Sequence, residues 1–376
     1  MEDKKAIVIG AGIVGLATAR ALALRGFAVT VFDKAHQAAG ASVRNFGMIW
    51  PIGQPEGKLY NRAIKSRDIW KEICEEAGIW YEKSGSLHLA YYEDEMAVLT
   101  ELRDTFMKQG RNVTLLGKNE LVERYDAVNP TNLIGGLYSS EEIIIDPREG
   151  IAKLPAYLAE RYGIQFYWDK CVGYIRDQTV YIGNREEHEA DVIFVCSGSD
   201  FETLYPGQFS LLPLTKCKLQ MMRLAAQPGN WRIGSALCGG LSLIHYNSFK
   251  VAPSLDKLKA RFQNEMSNYI DWGIHVMVSQ NEKGELTIGD SHEYGPGFDP
   301  FDKQFINKMI IEYLHQFANF KDWSIIESWN GIYPKLTNGE TDIFTNPEPG
   351  VYILNGLGGA GMTMSFGLAE EMVNMI

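Results

Sequence analysis

Apolar and polar positions along this chain alternate between two periods, and the changes of period mark out its elements. Residues 5–9 (KAIVI) read as a short β-run, and a glycine loop follows at 10–15. The Ala/Leu-rich stretch 16–25 has helical character, Gly26 marks a turn, and the apolar run 28–32 ends on Asp33. Apolar residues three and four apart predict helices at 60–77, 95–109, 147–162, 256–269 and 301–317. Alternation predicts a strand at 86–92 (SLHLAYY), a second at 165–168 and a hairpin around 174–182. The wholly apolar runs 191–196 and 351–354 read as buried strands. Between 212 and 288 the chain is mostly strand-like, in KLQMMRL, LSLIHY, HVMVSQ and ELTIGD.

Strand, glycine loop, helix, strand and terminal acid make a βαβ unit. Nucleotide-type βα units recur at the start, the middle and the end, with an antiparallel, strand-rich region set between them. The expected fold class is therefore α/β: a Rossmann-type unit plus an antiparallel α+β unit, each built from discontinuous segments. The first takes residues 1–80, 145–213 and 325–376, and the second takes 81–144 and 214–324.

Composition narrows the function. The chain has 376 residues, 45% of them hydrophobic, which is enough for two packed units. A net charge of −11 and the lack of a basic tract argue against a nucleic-acid partner. Cys74, Cys171, Cys196, Cys217 and Cys238 are scattered and unpaired in sequence, which suits a reduced, cytoplasmic protein without a disulfide framework or a zinc site. The apolar stretch 6–24 contains Gly10, Gly12, Gly15 and Arg20, so we expect neither a membrane span nor a signal peptide there.

In GAGIVG the first glycine, Gly10, allows the tight turn. The second, Gly12, lets the backbone approach a pyrophosphate, and the third, Gly15, lets the helix close on the strand. The helix N-terminus then turns its free N–H groups toward the phosphates. Asp33 follows Gly15 by 18 residues, where a carboxylate can accept from ribose hydroxyls. NAD and FAD share this fingerprint. A second cluster needs its own reason: Gly356, Gly358, Gly359 and Gly361 fall within six residues, just ahead of a helix-like run.

These segments together resemble the glycine oxidase, sarcosine oxidase and D-amino-acid oxidase family of FAD enzymes, along the whole chain and in order. ASVRNFG (41–47) matches that family's small-residue loop, which implies contacts from Ser42, Arg44, Asn45 and Gly47 to the pyrophosphate and flavin. Val172 matches a backbone contact to adenine, and DVIFVCSG places Ser197 and Gly198 below the cofactor. Lys34 and Gly331 join the implied cofactor set. GLGGAGMT (356–363) matches the C-terminal flavin motif. The resemblance implies that backbone N–H groups of Gly359, Ala360, Gly361 and Met362 and the N-terminus of the final helix meet the N1/C2=O edge, with Gly358 and Thr363 also in the cofactor set. The cofactor is expected to be non-covalent FAD, because 329–342, where some relatives are followed by a linking cysteine, has none.

The substrate side departs from the family. WNGIYPKLTNGETD (329–342) aligns Tyr333 with the arginine that clamps an α-carboxylate in the amino-acid oxidases. A tyrosine donates one hydrogen bond and carries no charge at pH 7, so a charge-assisted fork is lost. Other donors are at hand: Arg44, Lys216, Lys218, His245, Tyr246, His292 and Lys335. SVRNFGMIWP, KCKLQMM, IHYNSF and GDSHEYG also resemble a subgroup proposed to oxidise aminophosphonates, whose acid group takes more donors than one fork provides. The expected site set is Arg44, Tyr246, His292, Tyr333 and Lys335, with no metal.

The resemblance implies oxidation of a C–N bond: hydride transfer from a neutral amine to flavin N5, then imine hydrolysis. Oxygen or another acceptor would reoxidise the flavin. Thr287 stands where some relatives carry an oxygen-activating lysine, which slightly weakens the oxidase case. Alternatives are an amino-acid oxidase, an FAD-dependent 2-hydroxy acid dehydrogenase using His292 or His245 as base, a non-catalytic flavoprotein and an NAD-dependent dehydrogenase.

Overall fold

The structure, a computed structural model, describes residues 4–183 and 186–376. Two large sheets organise it. The first has six strands, in the order Ile343–Glu348, Val351–Asn355, Val192–Val195, Lys5–Ile9, Ala28–Phe32 and Gln165–Tyr167. All its pairings are parallel except that of Ile343–Glu348. Its central strands are apolar on both faces because both faces are covered, as parallel sheets require. The helix Ile13–Leu24 packs against the last helix, Gly361–Val373, on one of these faces. Buried Arg20 on the first donates to Glu370 on the second at 2.8 Å.

The second sheet has nine strands and is mostly antiparallel. Its longest pairing joins Leu214–Leu224 to Ile325–Leu336, with Cys217 opposite Tyr333 and Leu219 opposite Gly331. The sequence division groups 325–376 with the nucleotide-type segments; the strand Ile325–Leu336 is instead hydrogen-bonded into this sheet. A small three-stranded sheet joins Met48–Ile49, Ile143–Ile145 and Tyr81–Glu82, and its strands interleave along the chain with those of the two large sheets.

The expected elements at 5–9, 28–32 and 147–162 are present with those bounds. The third is well capped: the Asp146 side chain accepts from the Arg148 N–H at 2.9 Å, Pro147 opens the helix, and left-handed Gly163 closes it. One expected strand is absent. LSLIHY forms a 3₁₀ turn, Gly240–Ile244, because the backbone N–H of Leu241 donates to the Tyr313 hydroxyl at 2.9 Å rather than to a neighbouring strand. The helix expected over 256–269 is two pieces, Leu255–Glu265 and Ser267–Asp271, broken at Met266. No helix among the described residues is long and apolar enough to cross a membrane.

Candidate active site

A continuous cleft of about 830 Å³ runs from the N-terminal glycine loop to the nine-strand sheet. The glycine loop is tight. A Cβ on Gly15 would stand 1.8 Å from the carbonyl oxygen of Gly10, so Gly15 lies beneath the loop and does not line the cleft. Gly10, at φ +106°, has the Cys196 carbonyl 2.4 Å from where its Cβ would be. The Asp33 carboxylate accepts from the N–H groups of Ala11 at 2.7 Å and Ala35 at 2.9 Å, which fixes it at the cleft rim. Lys34 pairs with Asp200 there, and that hydrogen bond raises the lysine's pKa. Val172 is buried against the same end.

The loop 41–47 closes one side of the cleft. The Ser42 hydroxyl accepts from the Ile13 N–H at 2.9 Å, tying the loop to the helix start. Asn45 stitches the loop to itself, donating to the carbonyls of Ala41 and Ser42 and accepting from the Gly47 N–H. Gly47 does not line the cleft; its φ of +73° and the Ile145 carbonyl, 1.9 Å from its absent Cβ, make it a packing glycine. Arg44 donates to the Asn330 carbonyl at 3.0 Å and lies over Gly331.

At the far end, residues 358–363 line the cleft. The helix Gly361–Val373 starts without a side-chain cap, so its first N–H groups are free for a ligand. Thr363 is committed elsewhere: its hydroxyl accepts from the Trp50 N–H at 2.9 Å. The Tyr333 hydroxyl stands 3.7 Å, and the Lys335 ammonium 3.8 Å, from where Cβ atoms on Gly359 and Gly358 would be. Gly331, Tyr333 and Lys335 share one face of their strand, as period two dictates. Among the described residues Lys335 forms no ion pair.

Beyond them the wall is built from His245, Tyr246, His275, Asp290, His292 and Tyr294. The His245 and His275 rings stack with centroids 3.6 Å apart, and His292 lies about 5 Å from both. One ring nitrogen of each histidine lies within 4.8 Å of the others. The geometry is nevertheless not that of a metal centre. A bound ion must lie near each ring plane, and rings inclined by only 29° and 14° in stacked pairs do not share such a point. Asp290 Oδ1 is 3.2 Å from His275 Nε2, and Oδ2 is 3.8 Å from His292 Nε2. His292 Nδ1 meets the Gly273 carbonyl at 2.9 Å.

Desolvation controls the charges here. It pushes the Asp290 carboxyl up to about 6 and holds His245 and His275 well below the usual imidazole value, helped by their neighbouring rings. The His245 ring is open to the cleft, but it sits deep in a concavity and protein surrounds its other sides. The phenols of Tyr246 and Tyr333 are raised by burial.

All five expected substrate-side residues therefore line one cleft. Lys216 and Lys218 do not: the first pairs with Glu202 at 2.7 Å, and the second is buried and donates to the carbonyls of Asp299 and Phe301. Thr287 is buried beside Arg223, outside the cleft. Sequence reasoning missed His275, Asp290 and Tyr294. A signal existed: HVMVSQ and ELTIGD form a hairpin pairing Met277 with Gly289, and its next residues out are His275 and Asp290, which exchange backbone hydrogen bonds.

Comparisons with known proteins agree with this layout. A family model described as FAD dependent oxidoreductase (DAO) matches residues 5–375. A mitochondrial L-2-hydroxyglutarate dehydrogenase of Arabidopsis thaliana is 24% identical, over 99% of this chain and 83% of its own. Among solved structures, L-proline dehydrogenase from P. horikoshii superposes with a TM-score of 0.79 at 20% identity, covering 100% of this chain and 93% of its own. Glycine oxidase from Bacillus cereus ATCC 14579 gives 0.77 at 18% identity, covering 99% and 94%.

Proposed function

The chain belongs to the FAD dependent oxidoreductase family (DAO), and from that premise we propose that it oxidises a C–N bond in a small anionic amine. It is an FAD-dependent oxidoreductase. The cleft suits the cofactor: glycines line it at both ends, an uncapped helix start faces it, and the buried Ser197 hydroxyl beside it has no partner among the described residues. In this reading Gly10, Gly12 and the start of helix Ile13–Leu24 take the pyrophosphate. Asp33 and Lys34 take the ribose end, and Val172 the adenine. Ser42, Arg44, Asn45, Ser197, Gly198, Gly331 and residues 358–363 take the flavin. Gly15 and Gly47 shape the backbone around them. Segments 1–80, 145–213 and 337–376 then form the FAD side, and 81–144 and 214–336 the substrate side.

Bound FAD supplies the hydride-accepting chemistry. The protein's own groups do the rest. The N–H groups of Gly359, Gly361 and Met362 and the Lys335 ammonium favour negative charge at the end of the cleft where they converge; the Ala360 N–H is already taken by the Leu357 carbonyl at 3.1 Å. Tyr333, Tyr246, His292 and Arg44 orient the substrate, and burial favours its neutral amine. Water then hydrolyses the imine product. The substrate class we favour is an aminophosphonate or its N-methyl derivative, handled in a cytoplasmic setting.

One observation carries this reading: Tyr333, the residue that the sequence resemblance aligns with the family's carboxylate-clamping arginine, lines the cleft wall together with Lys335 and several histidines and tyrosines. The test is anaerobic bleaching of the flavin band by glycine, sarcosine, D-amino acids, 2-aminoethylphosphonate, its N-methyl form and 2-hydroxyglutarate. Bleaching by the aminophosphonates alone supports the aminophosphonate assignment; fast bleaching by glycine or sarcosine sinks that assignment and leaves the C–N oxidation standing, and bleaching by no amine in the panel sinks both. A second reading, a 2-hydroxy acid dehydrogenase, is favoured by the full-length similarity to an L-2-hydroxyglutarate dehydrogenase and by the His275–Asp290 pair, which could take a hydroxyl proton. Bleaching by 2-hydroxyglutarate would establish it.

A further inference from the structure

We infer that the row of His245, His275 and His292 takes up a proton as the substrate's anionic group enters the cleft, so that anion binding and protonation are one event. This rests on the reading that the substrate carries such a group.

The three rings come from three separate places: the end of the 3₁₀ turn Gly240–Ile244, the approach to strand Met277–Gln280, and the approach to strand Glu293–Gly295. The fold brings them into mutual contact with little to balance a charge. From strand Ile325–Leu336 they face Tyr333 and Lys335; from beside His245, Tyr246; from beside His292, Tyr294; from strand Leu214–Leu224, Cys217. The phenols and the thiol are all pushed by burial toward their neutral forms. Among the described residues one carboxylate, Asp290, touches the row, and its side chain is buried.

In the ligand-free cleft a proton on His245 or His275 therefore meets desolvation and the neighbouring rings, and on His245 Lys335 as well, with Asp290 opposing them among the described residues. Burial and these neighbours hold His245 and His275 neutral. An anion on the open face of His245 reverses the balance. The row then has two negative groups beside it, the ligand against His245 and Asp290 against His275 and His292. The proton comes from solvent and completes an imidazolium, and no other bond changes. Each mole of anion bound should consume about one mole of protons near neutral pH, and affinity should fall about tenfold per pH unit above it.

Sulfate is the probe, because it is a tetrahedral dianion that stays fully ionised across this range. With the FAD-loaded full chain, its affinity is read from the flavin absorbance change between pH 7 and pH 9. Proton uptake is read by calorimetry in two buffers of different ionisation enthalpy. The expected result is a steep pH dependence and buffer-dependent heat, both retained in Lys335→Met and both reduced in His245→Gln. Sulfate affinity that does not change with pH, with heat independent of buffer, overturns the coupling but leaves the anionic-amine reading intact. So does a pH dependence abolished by Lys335→Met, since the lysine would then be the titrating group. Failure of sulfate to bind at any pH also overturns the coupling; bleaching of the same preparation by an anionic amine would show that the functional reading survives alone.

Discussion

Nε2 of His275 lies 3.2 Å from Oδ1 of Asp290, and both side chains are buried. The sign of their pH effects follows from the directions of shift. Asp290 is raised from an ordinary 3.8 to about 6, so its stabilising contribution is complete below 3.8 and is lost as pH rises through about 6. Asp290→Asn cannot ionise, so it should stabilise the ligand-free protein at pH 8, by at most about 3 kcal/mol, and much less at pH 5. His275 acts in the opposite sense. Its depressed pKa means that stability is lost as pH falls below 6.5, where the unfolded chain takes up a proton that the buried ring refuses. Thermal unfolding of wild type and variant at both pH values checks this; equal melting temperatures at pH 8 would contradict it.

Tyr333 should matter through its hydroxyl. Tyr333→Phe keeps the packing beside Cys217 and Gly359 and removes one donor. Losing a hydrogen bond to a charged group costs about 1.5–3 kcal/mol, so flavin reduction by the preferred amine should slow about 10- to 100-fold. Stopped-flow bleaching gives the rate. An unchanged rate would remove Tyr333 from the substrate contacts.

Arg62 should be a stability residue at a distance from the chemistry. Its buried guanidinium bridges Asp342, just past the Lys335 segment, and Glu371 on the last helix, both at 2.7 Å. Arg62→Ala strips Asp342 of its counter-charge and leaves Glu371, among the described residues, with only Lys58, at 3.4 Å, and should cost about 3 kcal/mol. Denaturant unfolding measures it, and a loss below about 1 kcal/mol would mean that solvent replaces the arginine easily.

The last helix also tests packing. A Cβ on Gly367 would stand 2.6 Å from the Arg62 carbonyl oxygen, so Gly367→Ala must push two helices apart. Overpacking of this kind costs about 1–3 kcal/mol. Gly207→Ala, where a Cβ meets nothing within 4 Å, is the control and should be close to neutral.

The parts most legible in the sequence were those whose physics is local. The glycine loop, its flanking strands and the capped helix after Asp146 each depend on neighbours within a few residues, so their signals survive in one dimension. LSLIHY shows the opposite case: its alternation suggested a strand until the Tyr313 hydroxyl, from a distant helix, claimed the Leu241 N–H. Lys218 looked like a free cation in sequence, and only the fold returns residues 299–301 to its ammonium. His292 was found through its motif, whereas His275 and Asp290 became visible once a hairpin set them opposite each other.

The central strand Val192–Val195 lies between Lys5–Ile9 and Val351–Asn355, partners drawn from opposite ends of the described chain. Neither pairing can form by local zipping, and each must pay the entropy of closing a very long loop first. During synthesis, the first βαβ unit therefore waits, its apolar faces only partly covered by helix Pro147–Tyr162, until residues 351–373 have emerged to complete the sheet and cover the rest of the first helix. The cleft comes into being at the same moment, because both of its ends depend on that closure. Cofactor capture and final folding are thus expected to be a single late step, and a cell short of FAD would accumulate the protein in its most aggregation-prone form.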